Sequence, residues 1–383
     1  MSSKISFKLS YRTNALCLAF QKRGWVEKEV DDGDFTLFWT DVAFIYEDLD
    51  SNPLQKHQLI NHFRNNYELT KKDLLVKNLK MYWRKKNPFA SFYTDNNIVP
   101  CSYEIPTQYS LFYDHYKKNP GKTWILKPSG RSQGKGIMMV TKLATVRDQY
   151  DQCRRILEMN FKEREKLDIA ESESYVVQEY IANPLLIGNR KFDMRIYVLV
   201  MSFNPLVVYV HNLGFCRFSQ SFYSLDYTDL AIHATNVAIQ KNHSEYNKTL
   251  GCKWSLNKLR IYLNAQYGYD RTMQIFSEIE KTILISLFSV QPRIINSSRC
   301  FELYGYDILL DDTLKPWLIE VNASPSLSAE NREDVQIKTK VLSDMLDILS
   351  LDSPVETING FQRIYNNGFI THEEPFYSNL GTN

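Results

Sequence analysis

The stretch from residue 301 to residue 327, FELYGYDILLDDTLKPWLIEVNASPSL, constrains the fold more than any other part of the chain. Two apolar and aromatic runs, 301–310 and 316–321, flank the polar segment DDTLK. Runs of this length that are bounded by turn-forming residues are typical of β-strands. The stretch therefore predicts a β-hairpin.

The register of this hairpin decides which acidic residues meet. If the loop comprises the four residues 312–315, then Asp311 faces Pro316 and Asp307 lies directly opposite Glu320. Opposed side chains on one face have Cβ atoms about 4.5–5.5 Å apart, and like charges at that distance repel each other. A bound cation would remove this repulsion.

Three oxygen donors are predicted to converge here. Asn322 lies two residues beyond Glu320, so both side chains point to the same side of the strand. Mg²⁺ binds carboxylate and amide oxygens together with phosphate oxygens. The pattern predicts a Mg²⁺ site formed by Asp307, Glu320 and Asn322. The alternative interpretation is a solvated hairpin with scattered acidic residues.

Length and composition are those of a soluble globular protein. The 383 residues are 44% hydrophobic and 23% charged, and the net charge of +2 gives no field that favours nucleic acid. The longest apolar run, 196–203, is too short to span a bilayer, and the N-terminus lacks the apolar segment of a signal peptide. Six cysteines without metal-ligand spacing predict reduced thiols in the cytoplasm. We expect neither a nucleic-acid nor a membrane partner.

Residues 70–86, TKKDLLVKNLKMYWRKK, predict a basic helix that begins near Thr70. Its basic residues, Lys80, Arg84 and Lys85 among them, indicate either a surface for an acidic partner or an ordinary solvated helix face.

Residues 121–141, GKTWILKPSGRSQGKGIMMVT, predict two strands joined by a glycine-rich loop. The spacing matches neither a phosphate-binding GxxxxGK[ST] loop nor a dinucleotide-binding GxGxxG turn. A glycine hairpin can still fold over phosphates with its backbone N–H groups and lysines. An ordinary turn is the alternative.

Two further segments predict strands that contact a ligand. Residues 175–181 could form a hinge that bonds a planar base, or a plain buried strand. On the strand 189–203, Lys191, Asp193 and Arg195 share one face, ahead of a solid apolar run. Charges at the mouth of a buried strand favour a charged ligand over a solvated face.

Taken together, these motifs resemble the tubulin-tyrosine-ligase-like family and, within it, the polyglutamylase branch. The similarity extends from about Trp25 to Leu349, with Ala234 and Asn189 as departures from the usual pattern. It is carried by WILKPSGRSQGKGI, QEYIANPLLIGNRKFDMRIYVLV, HATNVAIQK and YGYDILLDDTLKPWLIEVNASPSL.

The resemblance implies an α/β protein with the ATP-grasp fold, in which two lobes close on Mg-ATP. Residues 1–70 would form a small N-terminal mixed α/β domain and residues 71–185 the central lobe with the glycine hairpin. Residues 186–350 would form the C-terminal lobe with the metal and amino-acid sites. Residues 351–383, which contain Gly, Asn, Pro and Ser, predict a flexible tail.

The resemblance also implies which residues bind each ligand. Those that would bind ATP are Lys72, Lys127, Gln133, Gly134, Gln178, Glu179, Tyr180, Ile181, Lys191, Phe192, Asp193, Thr235 and Asn236. Those that would bind the amino acid or the acceptor are Gln133, Arg217, Thr235, Asn236 and Lys253. The catalytic residues would be Arg217, Lys191 and Arg195, with Asp307, Glu320 and Asn322 binding Mg²⁺.

The activity implied by the resemblance is ATP-dependent ligation of free L-glutamate to glutamate side chains in tubulin C-terminal tails, through an acyl phosphate. The alternatives are a glycylase or tyrosine ligase of the same family, or a microtubule-binding protein without catalysis. The implied location is the cytoplasm and cytoskeleton, including cilia or flagella and basal bodies. Accessory subunits are further candidate partners.

Overall fold

The computed structural model describes residues 5–43, 45, 53–86, 98–131, 133–159, 174–241, 253–329, 331–351, 360–367 and 369–370. The strands among them are β1 (Ser6–Leu9), β2 (Val26–Glu27), β3 (Leu37–Trp39), β4 (Leu59–Ile60), β5 (Ser102–Ile105), β6 (Trp124–Pro128), β7 (Met138–Val140), β8 (Tyr175–Glu179), β9 (Leu186–Ile187), β10 (Arg190–Phe203), β11 (Leu206–Phe218), β12 (Lys253–Ser255), β13 (Glu302–Leu310), β14 (Pro316–Asn322), β15 (Phe361–Asn366) and β16 (Phe369–Ile370). The helices are α1 (Asn14–Gln21), α2 (Tyr67–Thr70), α3 (Lys72–Lys86), α4 (Tyr109–Lys118), α5 (Leu143–Glu158), α6 (Leu230–His233), α7 (Val237–Lys241), α8 (Leu256–Tyr267), α9 (Tyr269–Val290) and α10 (Arg332–Leu349). None of the described helices is both long and apolar enough to cross a membrane.

These strands form three sheets, which confirms the predicted mixed α/β class. The N-terminal sheet is parallel, with strand order β2-β1-β3-β4. The glycine-loop sheet is antiparallel, with order β5-β8-β6-β7. The central sheet is also antiparallel and runs β14-β13-β10-β11-β15-β16, with β9 beside β10 and β12 beside β11.

The long strand β10 is buried on both faces. Ile196, Val198 and Val200 pack into a core shared with α8 and α9, whereas Tyr197 and Leu199 pack into a second core shared with α1 and α10. Successive side chains of a strand point to opposite faces, so a continuous apolar run can serve two cores at once. This double burial fixes the strand that carries the predicted charged residues.

The hairpin of β13 and β14 confirms that Asp307 lies opposite Glu320, but the predicted loop is wrong. Leu310 pairs with Pro316, so the loop is 311–315, one residue longer than expected. The cause is Asp311, whose Oδ1 accepts N–H bonds within the turn, including one of 3.0 Å from Lys315. A β-bulge on β14, where Ile319 is the extra residue between the partners of Asp307 and Ile308, then restores the predicted pairing.

The predicted flexible tail is wrong for residues 361–366. They form β15, which pairs with β11, and both Phe361 and Ile364 are buried. The sequence NNG between two short apolar runs is a hairpin signal that the prediction overlooked. Residues 352–359, 368 and 371–383 of the predicted tail lie outside the described residues.

Candidate functional site

Four charged side chains form the centre of the site, on neighbouring strands of the central sheet. Asp193 pairs across strands with Arg217, and Arg195 with Asp307. Arg195 Nε donates to Asp307 Oδ1 at 2.6 Å, and Arg217 Nη2 donates to Asp307 Oδ2 at 2.7 Å. Arg217 also bonds both carboxylate oxygens of Asp193, with Nε to Oδ1 at 2.7 Å. We call these four residues the arginine–aspartate cluster.

The cluster is buried, which excludes a solvated face. Each of its four residues is at most 8% exposed. Burial raises the pKa of the Asp307 carboxyl, but Arg195 and Arg217 outweigh it and hold this pKa below its usual value. Burial lowers the pKa of Arg217, but Asp193 and Asp307 raise it well above the usual value. Asp307 and Arg217 therefore stay charged, and the loss of one member of the cluster would leave another buried and unpaired.

Of the predicted metal ligands, Asp307 belongs to this cluster, and Glu320 and Asn322 lie on the neighbouring strand β14. Glu320 is opposite Asp307, and Lys72 Nζ is 3.6 Å from Glu320 Oε1. Asn322 is opposite Gly305 and donates from Nδ2 to the Gly305 carbonyl at 3.1 Å, so its Oδ1 is the atom that would face a cation. A Cβ at position 305 would lie 2.8 Å from Pro325 and 3.2 Å from Arg195 Cδ, so this close approach requires glycine.

Two carboxylates and one amide suit Mg²⁺ only if phosphate oxygens or waters complete the coordination. Among the described residues, no group of three or more His, Cys, Asp or Glu side chains could hold a metal ion. Asp307, Glu320 and Asn322 would therefore need phosphate oxygens or waters as further ligands.

One pocket joins Glu320 to the glycine-loop sheet. Lys72, Lys127, Gln178 and Glu320 all line it. Lys127 Nζ donates to Gln178 Oε1 at 2.7 Å, and Gln178 Nε2 donates to Ser102 Oγ at 2.9 Å. Burial, with a smaller contribution from Lys72, lowers the pKa of Lys127 to about 8. A phosphate in this pocket would favour the charged ammonium.

Lys191 is a second buried lysine of the same site. Its Nζ donates to Tyr180 Oη at 3.0 Å and to the His233 carbonyl at 2.8 Å. Burial, followed by the charge of Lys127, lowers the pKa of Lys191 to about 7. The structure thus brings Lys127 and Lys191 into electrostatic contact, although their strands belong to different sheets.

The glycine loop reaches the segment that contains Thr235 and Asn236. Gly134 has φ +77°, and a Cβ there would lie 2.5 Å from Ile239 Cδ1 and 3.3 Å from Asn236 Cγ. Only glycine permits this approach, so the loop and the start of α7 form one wall. Gln133 beside it is exposed, and Thr235 is buried.

Lys253 is paired across strands with Arg217 but is not isolated. Its Nζ lies 2.8 Å from Asp334 Oδ2, and Lys338 Nζ lies 3.5 Å from the same oxygen. Sequence analysis missed Asp334 and Lys338. Their only signal is an acid and a lysine four residues apart on α10, a spacing typical of any solvated helix. Here both side chains are buried.

The fold leaves three residues predicted to bind the nucleotide, Glu179, Tyr180 and Phe192, with fewer groups free to contact it. The N–H groups of Glu179 and Tyr180 already bond the carbonyls of Cys101 and Thr123. Strand β8 lies between β5 and β6, so both of its edges are paired. The ring of Phe192 packs in the core, which leaves only its backbone for a ligand. Ile181 follows β8 and is where a backbone hinge could still act.

Two buried lysines, a set of oxygen donors and a cluster of buried charged residues thus lie close together, and buried cations of this kind are suited to binding phosphate groups. The profile of the tubulin-tyrosine ligase family matches residues 48–358, and the chain belongs to this family of ligases.

Individual relatives agree along nearly the whole chain. A bovine protein named "Probable tubulin polyglutamylase TTLL9" is 38% identical over 99% of this chain and 88% of its own length. A Tetrahymena thermophila protein named "Probable alpha-tubulin polyglutamylase Ttll1" is 41% identical over 92% of this chain and 87% of its own. The mouse "Tubulin polyglutamylase TTLL5" is 33% identical over 85% of this chain but only 23% of its own length.

Proposed function

We propose that this chain is an ATP-dependent tubulin polyglutamylase, which joins free L-glutamate to glutamate side chains in tubulin C-terminal tails. The observation that carries the proposal is the intact arginine–aspartate cluster beside Glu320, Lys127 and Lys191. A microtubule-binding protein without catalysis would have no use for six buried charged residues and a facing carboxylate. The polyglutamylase names of the full-length relatives support the same activity.

The reaction would proceed in two steps. A carboxylate oxygen of the acceptor attacks the γ-phosphorus of ATP, the bond to the bridging oxygen breaks, and ADP leaves. The α-amine of glutamate then attacks the acyl-phosphate carbon, an amide forms, and inorganic phosphate leaves while the amine loses its proton. Both steps concentrate negative charge, which fixed cations stabilise best when they are already in place.

We assign these cations as follows. Lys127 and Lys191 bind the phosphates, with Lys72 at the mouth of the pocket. Arg195 and Arg217 stabilise the transferred group, and Arg217 also contacts the incoming amino acid. Asp307, Glu320 and Asn322 would hold Mg²⁺, which supplies charge neutralisation at the phosphates when bound.

The fold proposed for this chemistry is ATP-grasp. The glycine-loop sheet would belong to the central lobe, residues 71–185, and the central sheet to the lobe of residues 186–350. Residues 1–70 would form the N-terminal domain. The contact of Gly134 with Ile239 supports closure of the glycine loop over a ligand. We also propose a cytoskeletal location, including cilia or flagella and basal bodies, and accessory subunits as partners.

The amino acid provides the test of this function. Glutamate carries two carboxylates that need cations when desolvated, glycine carries one, and tyrosine would need an apolar slot. Arg217 and Lys253 supply two such cations, with Lys338 close behind. We therefore expect glutamate to be incorporated in preference to glycine and tyrosine when all three are offered, labelled, with tubulin and Mg-ATP.

Lys253→Ala should raise the KM for glutamate much more than the KM for ATP. The matched control is Lys258→Ala, an exposed lysine of α8, which should change neither value. Preferential incorporation of glycine or tyrosine would replace the proposed function with one of the family alternatives. An unchanged KM for glutamate in Lys253→Ala would be compatible with the proposed function but would show that Lys253 does not bind the amino acid.

The acidic acceptor would dock on the basic helix α3. Of the residues predicted for this surface, Lys80 does not face outward. Lys80 points inward, donates to the Ser102 carbonyl at 2.7 Å, and has a pKa that burial lowers to about 8. Lys77, Arg84 and Lys85 are exposed, and their spacing places them along one side of the helix.

Reversing the charge of Lys77, Arg84 and Lys85 to Glu should weaken tubulin binding and remove most of its salt dependence, because the attraction is electrostatic. ATP affinity should not change. The control is Lys117→Glu with Lys118→Glu on α4, which alters the net charge elsewhere on the surface. Co-sedimentation with microtubules at low and high salt measures the effect. Equal losses in both variants would show that only net charge matters.

A further inference from the structure

His233 ends α6, two residues before Thr235, and it is 3% exposed. Its Nε2 lies 2.7 Å from the Asp226 carbonyl oxygen, and its Nδ1 lies 2.8 Å from Tyr180 Oη. A carbonyl oxygen only accepts, so Nε2 must carry the hydrogen. In the neutral ring Nδ1 is then an acceptor, and the Tyr180 hydroxyl donates to it.

This assignment fixes the direction of the bond between Tyr180 and His233 and agrees with the two bonds that Lys191 donates. Because the Tyr180 hydroxyl donates to His233, its oxygen is available to accept from Lys191 Nζ at 3.0 Å. The backbone carbonyl of His233 accepts a second bond from the same Nζ at 2.8 Å. His233 therefore positions Lys191 by two routes: directly, through its backbone carbonyl, and indirectly, through the Tyr180 hydroxyl.

We propose that His233 is a positioning residue that orients Lys191, through Tyr180, toward the phosphates of ATP. The identity of this ligand rests on the proposed function; the network itself does not. His233 would act only through its neighbours, since its ring nitrogens are both occupied by Asp226 and Tyr180.

The network has a pH dependence of known sign. Burial is the main cause that lowers the pKa of His233 from 6.5, and Lys191 adds to it, whereas the Asp226 carbonyl and the carboxylates of Asp226 and Asp229 raise it. The rings of Tyr180, Tyr223 and Tyr227 also face it. When the pH falls through this lowered pKa, Nδ1 gains a hydrogen and no longer accepts from Tyr180. ATP binding should then weaken relative to that of a variant in which residue 233 does not titrate.

The test is calorimetric Mg-ATP binding by the full chain with two side-chain replacements. In His233→Asn the amide oxygen lies near the position of Nδ1 and can still accept from Tyr180. In His233→Gln the amide nitrogen reaches toward the Asp226 carbonyl, and the acceptor for Tyr180 is lost. We expect His233→Gln to weaken ATP binding by about tenfold and His233→Asn by clearly less, as for a lost bond to a charged group.

A double-mutant cycle with Tyr180→Phe tests whether His233 orients Lys191 through Tyr180 or whether its replacement disturbs the structure in an unspecific way. We expect the double variant Tyr180→Phe, His233→Gln to bind ATP no more weakly than Tyr180→Phe alone. As the pH falls through the lowered pKa of His233, the ATP affinity of the wild type should fall relative to that of His233→Asn, because protonation of Lys127 and Lys191 affects both proteins alike.

Independent, additive losses in the cycle, or the same pH profile in His233→Asn as in the wild type, would overturn the inference. If His233→Gln fails to fold, the ATP affinity of Tyr180→Phe and the pH dependence of ATP binding by His233→Asn still test the inference. A wild type that binds ATP but ligates nothing would overturn the proposed function alone. A wild type that binds no ATP would overturn both.

Discussion

Glu320→Gln should fold normally and lose ligase activity by a factor of about a hundred or more, the loss typical of removing one electrostatic contact to the reacting groups. The substitution keeps the shape of the side chain and removes one charge opposite Asp307. Stability should change little, because Asp307 is already paired with two arginines and the contact of Glu320 with Lys72 is 3.6 Å long.

The measurements are ATP turnover and glutamate incorporation at saturating Mg²⁺, with thermal unfolding in parallel. Glu278→Gln on α9 is the matched control, because it makes the same chemical change on a partly exposed glutamate outside the site. Wild-type turnover in Glu320→Gln at saturating Mg²⁺ would remove Glu320 from the metal site.

Arg217→Ala should abolish ligation and also lower the free energy of unfolding by about 3–5 kcal/mol, the usual cost of breaking a buried ion pair. Arg217 is the residue that joins the two halves of the arginine–aspartate cluster, since it bonds Asp193 and Asp307. Without it, Asp193 loses the guanidinium that bonds both of its carboxylate oxygens. Denaturant unfolding measures the loss.

The double variant Arg217→Ala, Asp193→Asn separates folding from function. Neutralising Asp193 removes the uncompensated buried charge, so part of the lost stability should return while ligation stays absent. A fully stable Arg217→Ala would contradict the electrostatic account of the cluster. Wild-type ligation by the double variant would show that Arg217 contacts neither the phosphate nor the amino acid.

Sequence patterns predicted the strands of the site and the residues on them. Strands and turns are determined by nearby residues, through the alternation of side chains and the presence of turn-forming residues. The opposition of Asp307 and Glu320 was predicted correctly although the assumed loop was too short. Two deviations, the longer turn at Asp311 and the β-bulge, cancel. No local rule reveals such a cancellation.

What sequence could not predict depends on contacts between distant segments. Lys80 belongs to the same basic run as Lys77, and only the packing of α3 against Ser102 shows that it points inward. His233 likewise has no local pattern that indicates a role, since its partners are Tyr180 and the carbonyl of Asp226. Helical spacing alone also gave no reason to expect that Asp334 and Lys338 are buried.

The pairing of β15 with β11 has a practical consequence for any shortened form of this chain. The family match ends at residue 358, before β15 begins, and starts at residue 48, after β1, β2 and β3. A fragment cut to those limits would turn residues 207–211 of β11 into an open edge, because β15 now covers them. Exposed strand edges recruit other chains, so such a fragment would be prone to aggregate while retaining every residue of the proposed site.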